Sequence, residues 1–181
     1  MKGALTAARL RELVHYSPRT GRFYWRVSRG NAAAGFEAGT GSHNGYRTIQ
    51  IDGRIYLAHR LAWLHVYGKH PAGQIDHINS RPADNRIKNL RDGTRQENLW
   101  HRRSRSRSRL KGVSLRGSMW SVRIRANGKE INLGLFRTRA EAKASYATGA
   151  LLLHGSFART DGRRARTHRT LAKRRRRFTS P

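Results

Sequence analysis

The chain has 181 residues, carries 39 Lys and Arg against 10 Asp and Glu, and has a formal net charge of +29 with no cysteine. Such charge opposes compaction unless a polyanion offsets it, which points to nucleic acid; an anionic membrane fits less well, because no apolar run reaches about 18 residues and no basic helix has a wide apolar face. The lack of cysteine excludes disulfides and Cys-type zinc sites, and "MKGALTAARLRELV" lacks the apolar core of a signal peptide, so a reducing cytoplasm is the expected setting.

The length allows two or three small domains. Residues 5–15 predict a short helix, with Thr6 as N-cap and Leu10, Leu13 and Val14 on one face. "TGRFYWRV" (20–27) reads as a strand, and the Gly- and Ala-rich stretch 28–44 as loop. "GYRTIQIDGRIYLAHRL" predicts a hairpin turning at Asp52-Gly53, then a helix over 59–68 ended by Gly68. Phe23, Tyr24, Trp25, Ile49, Ile51, Ile55, Leu57, Leu61, Trp63 and Leu64 supply a small core, so residues 1–70 form one α+β region. Residues 71–103 read as strand ("GQIDHI"), loop, strand ("NLRDGT") and helix ("TRQENLWHRR"), the helix opened by a Thr94/Glu97 capping box. A basic linker follows at 104–111, within "HRRSRSRSRLK". Residues 112–158 return to period-2 alternation as three strands, with a hairpin at Asn127-Gly128, then a helix opened by a Thr138/Glu141 capping box. Residues 159–181 form a basic tail, expected to stay disordered until it meets a polyanion.

One stretch departs from this basic background. "QIDHINSRPADNRIKNLRDGTRQENLW" (74–100) holds Asp76, Asp84, Asp92 and Glu97, interleaved with His77, Asn79, Asn85, Asn89 and Asn98. Oxygen ligands gathered in a cationic protein are what a divalent cation needs. An Asp-His pair is followed by Asn thirteen and twenty-two residues after the Asp, within "DHI", "DNRIKNLR" and "TRQEN". In that order and spacing the segment resembles the HNH nucleases, in the His-Asn-Asn variant known from phage and intron-encoded homing endonucleases. The resemblance implies a strand–strand–helix (ββα-metal) finger around one metal ion. It implies that Asp76 and Asn98 hold Mg²⁺, or another divalent cation such as Mn²⁺, against the scissile phosphate. It also implies that His77 is the general base and that Asn89 bonds the loop and orients the histidine. Asp84, Asn79 and Asn85 read as turn residues rather than ligands. His59, at the head of "HRLAW", reads as a partly buried structural histidine.

Residues 112–158 resemble the AP2 DNA-binding domain through "MWSVRIRANGKEINLGLF" and "RAEAKASYATGALLLHG". That resemblance implies a three-stranded antiparallel sheet set in the major groove with a helix behind it. The alternation turns Trp120, Val122, Ile124, Ile131 and Leu133 toward Ala142, Tyr146 and Leu152 of the helix. It turns Ser121, Arg123 and Arg125 the other way, where with Ser114, Arg116 and Asn132 they form the expected DNA face; Arg and Asn suit base edges in the major groove. Leu115, Glu130 and Asn132 depart from the AP2 pattern, so no target sequence carries over.

The expected protein is therefore an α+β, metal-dependent endonuclease cutting duplex DNA, targeted by an AP2-like domain. It would work in the host bacterial cytoplasm if phage-encoded, with no membrane partner and no obligate protein partner. The competing expectation is a non-catalytic, sequence-specific DNA-binding regulator whose finger is vestigial.

Overall fold

Residues 4–30, 32–42, 44–102, 104 and 110–160 are described in a computed structural model of the chain. Most of the basic linker and nearly all of the basic tail lie outside them. The chain divides between Arg95 and Gln96 into two units.

In the first unit, helix α1 (Ala7–Leu13) opens on Thr6, whose hydroxyl accepts from the Arg9 amide at 3.2 Å. The helix stops one residue short of Val14, which the helical period had included. Val14 instead starts strand β1 (Val14–Ser17) and pairs with Trp25 of β2 (Arg22–Trp25). A β-branched residue with a strand partner gains more from pairing than from a last helical turn. Two short strands, β3 (Glu37–Ala38) and β4 (Thr40–Gly41), lie in the stretch read as loop; β3 joins β1 and β2, and β4 joins the hairpin of β5 (Arg47–Ile51) and β6 (Arg54–Leu57). That hairpin turns at Asp52 and Gly53, both at positive φ (48° and 83°), as a type I′ turn requires. Helix α2 (Ala58–Tyr67) follows and ends on Gly68 in the left-handed region.

Leu10, Val14, Tyr16, Phe23, Ile49, Ile51, Leu61 and Leu64 are buried in the core of this unit. Ile55 and Leu57, expected there, are exposed. The register explains this. Ile49 and Ile51 face inward, so their partners Tyr56 and Arg54 share that face, while Ile55 and Leu57 sit opposite Gln50 and Thr48 on the outer one. Strands β7 (Gln74–His77) and β8 (Leu90–Gly93) pair antiparallel and close the unit.

The second unit holds most of helix α3 (Arg95–His101), which has no buried residue of its own. Its C-terminal end is held from outside. The Lys111 ammonium donates to the carbonyls of Leu99, Trp100 and Arg102 at 2.8, 2.6 and 3.1 Å. Trp100 stacks on His154 with centroids 4.4 Å apart, and Arg159 donates to the His101 carbonyl at 3.2 Å. A cation on the last carbonyls of a helix satisfies acceptors that have no partner within the helix. Arg159 is itself buried, so ordered structure runs past the point where the tail was expected to begin.

Strands β9 (Val113–Arg116), β10 (Met119–Ala126) and β11 (Lys129–Phe136) form an antiparallel sheet with β10 central, backed by helix α4 (Arg139–His154). The Thr138/Glu141 capping box is formed. The core joins Leu110, Val113, Val122 and Ile124 to Ala142, Tyr146 and Ala150. Three expectations fail here. Leu152 is 80% exposed, because the inward stripe of α4 runs at a spacing of four through Ala142, Tyr146 and Ala150 and leaves Leu152 out of phase. Ile131 is also exposed, and Ser121, assigned to the outer face, is buried. The β10–β11 register shifts between Val122 and Arg123, skipping Leu133 of β11, so simple alternation holds along β10 but does not carry across that point on β11.

Candidate nuclease site

The register of β7 on β8 sets Asp76 opposite Arg91 and His77 opposite Leu90. Neighbouring side chains on a strand take opposite faces, and the two residues meet different surroundings. Asp76 faces a cation: the Arg91 guanidinium donates to Oδ2 through Nε at 2.9 Å and Nη2 at 2.6 Å. His77 turns inward and is 5% exposed.

Three neighbours hold the His77 ring. Its Nε2 lies 3.1 Å from Oδ1 of Asn85. An amide oxygen can only accept, so this bond sets the imidazole proton on Nε2 and leaves the lone pair on Nδ1. His59 meets the ring edge-on, with centroids 5.1 Å apart and planes at 80°, and Tyr46 lies 5.9 Å away. Burial lowers the pKa of His77, opposed by its bond to Asn85 and by the charges of Asp76 and Asp84. His59 is driven further, to about 4, by burial first and then by His77 and Arg60. Both rings are neutral at neutral pH, as a proton acceptor must be.

The loop from β7 to β8 is stitched by amides. Asn89 accepts the Asn79 backbone N–H on Oδ1 at 3.0 Å and donates Nδ2 to the Asp84 carbonyl at 2.8 Å. It thereby ties the loop at two points. The side chain hydrogen-bonded to His77 is Asn85, 1% exposed, whose sequence context predicts a turn residue. Only its place eight residues after the histidine could have flagged it, and an Asn after an Asp reads equally well as turn. Asp84 accepts from Asn79 and Arg86, and the Arg86 bond is the main cause of its lowered pKa. Asp92 accepts the backbone N–H groups of Ala72 and Gly73 at 2.8 and 2.9 Å, fixing the turn into β7.

Asp76, Asp84 and Asp92 thus face Arg side chains or backbone donors. No group of three or more His, Asp or Glu side chains gathers into a cage among the described residues. Magnesium does not require one: it keeps several waters and takes one or two protein oxygens plus substrate phosphate. Asp76 is a half-buried carboxylate, the oxygen donor such a site takes, and it accepts from Arg91 on Oδ2. Asn98 lies on α3, in the second unit.

In the second unit the strand pairing sets Ser114 opposite Ser121, Arg116 opposite Met119, Arg123 opposite Asn132 and Arg125 opposite Glu130, so the five candidate DNA contacts share one sheet face. Arg123 on that face is bonded to Glu130 at 2.8 Å, and Asn132 accepts from the Gly134 amide at 3.1 Å. No helix among the described residues is long and apolar enough to cross a membrane.

Comparison with known proteins bears on the same segment. The family of HNH endonucleases matches residues 56–99, which include β7, the amide-stitched loop, β8 and Asn98. Protein 3.8 of Escherichia phage T7 is 35% identical over 108 residues, spanning 56% of this chain and 87% of the phage protein. No solved structure matches. The chain belongs to the same family as that phage protein, and the histidine clamped by Asn85 sits in its HNH endonuclease domain.

Proposed function

We propose that the protein is a metal-dependent endonuclease that hydrolyses phosphodiester bonds in duplex DNA. The observation that supports this best is the state of His77: a neutral ring with its proton committed to Asn85 and its Nδ1 lone pair left to act as base. In this reading a water oxygen attacks phosphorus, its proton passes to Nδ1, and the bond from phosphorus to the bridging sugar oxygen breaks. Asn85 holds the tautomer, and Asn89 fixes the loop that carries Asn85. Asp76 and Asn98 are the residues to hold the cation. A bound Mg²⁺ or Mn²⁺ would stabilise the charge growing on the phosphate and the leaving oxygen. The second unit serves as an AP2-like targeting module, with Ser114, Arg116, Arg123, Arg125 and Asn132 toward DNA.

The Asp76–Arg91 ion pair favours one rival, a DNA-binding regulator with a vestigial finger, since an acid neutralised by arginine has less to offer a cation. A supercoiled plasmid decides between them. Nicking or linearisation with Mg²⁺ or Mn²⁺, abolished by EDTA, is the expected result. Tight, sequence-selective binding without cleavage under any divalent cation would leave the regulator.

A further inference from the structure

The HNH match begins at residue 56, yet the backbone of Asn85 is gripped by the hairpin of β1 and β2, far upstream. Tyr16 on β1 is 2% exposed and donates its hydroxyl to the Asn85 carbonyl at 2.7 Å. On the same hairpin, Gly21 lies in the turn at φ +72°. A Cβ there would run into the Asn85 carbonyl carbon and the Arg86 amide nitrogen, both of them backbone atoms that cannot swing aside. One residue donates to this backbone and the other leaves it room. The side chain of Asn85 then receives His77 Nε2–H. The Tyr16 ring is fixed in turn by Phe23 and His65, with centroids 4.8 and 5.6 Å away.

We infer that Tyr16 is a positioning residue for the nuclease, acting through the Asn85 backbone to fix the tautomer and direction of the His77 ring. The inference rests on the reading of His77 as general base. It assigns to the N-terminal hairpin a part in the chemistry beyond supporting the fold. Hydrogen bonds from the outer shell fix a reactive imidazole in this way, and losing one typically costs about 10- to 100-fold in activity.

The test is Tyr16→Phe in the full chain, which removes the hydroxyl and keeps the ring packing. Cleavage kcat should fall at least about tenfold, with KM and DNA affinity unchanged. Nitrogen NMR of the imidazoles should show His77 as the Nε2–H tautomer in the wild type and as a mixture of tautomers in the variant. Gly21→Ala, which crowds the same backbone, should reproduce both effects. If Tyr16→Phe does not fold, Gly21→Ala alone decides by the same two readouts. Wild-type kcat with a wild-type His77 spectrum would overturn the inference, and so would a lowered melting temperature with both unchanged. If the wild-type chain cuts no DNA, the nuclease reading fails, while the spectra still decide whether the hairpin sets the His77 tautomer.

Discussion

At the scale of single residues, the proposed mechanism has His77 accept a proton, and His59, itself buried, crowds that ring edge-on. His77→Ala should cost about 10² to 10⁴ in cleavage rate. DNA affinity should stay intact, as a binding assay with uncleavable DNA would show. A second expectation concerns acid. His59 titrates near 6.5 when unfolded and at about 4 in the fold. Between those values the unfolded chain binds the extra proton, so stability is whole above about pH 6.5 and drains away as pH falls toward about 4, by on the order of 3 kcal/mol. His77, also lowered by burial, adds in the same direction. Urea unfolding across this window should show the slope, and His59→Leu should flatten it. The segment that carries Asp76 and His77 was legible in the sequence as HNH-like, and the family match covers it. The contacts of Asn85 were not, because they join it to His77 and to a tyrosine hydroxyl 69 residues away in sequence, and no local pattern records that.

At the scale of elements, the strands and helices were largely readable where turn chemistry and period agreed, as at Asp52-Gly53 and the Thr138/Glu141 box. They were misread where pairing overrode local pattern. Ile55 looks like core by composition and is exposed by register. Leu152 looks like core by its neighbours "LLLH" and is exposed by helix phase. Thr138→Ala removes the formed capping box of α4 and should cost the second unit about 1 kcal/mol, measured as a lowered denaturant midpoint. The sheet in front of that helix carries its own internal contest. Glu130 holds Arg123 across the strand pair. Arg123→Ala should relax sequence preference in cleavage of a randomised DNA library more than it weakens total binding, since a good bidentate base contact gives about 1–3 kcal/mol of discrimination. Equal preference with uniformly slower cutting would make Arg123 a phosphate contact.

At the scale of the whole molecule, +29 charges over 181 residues make salt the main variable in any binding measurement. Removing residues 161–181 should weaken binding alike on all sequences and flatten the salt dependence, each lost phosphate contact taking about 0.9 from the log–log slope. The cut belongs after Thr160 because Arg159 is buried and bonded to His101. The grip on α3 also bears on how such a protein could be reassembled by recombination. The HNH match ends at residue 99, but the ammonium on the carbonyls of Leu99, Trp100 and Arg102 comes from residue 111, and the aromatic partner of Trp100 from residue 154. By composition the basic stretch between reads as a seam where one C-terminal module could be exchanged for another. A crossover there would deliver the helix bearing Asn98 to a partner lacking its lysine and its histidine. Viable chimeras would have to inherit residues 96–160 as a single block.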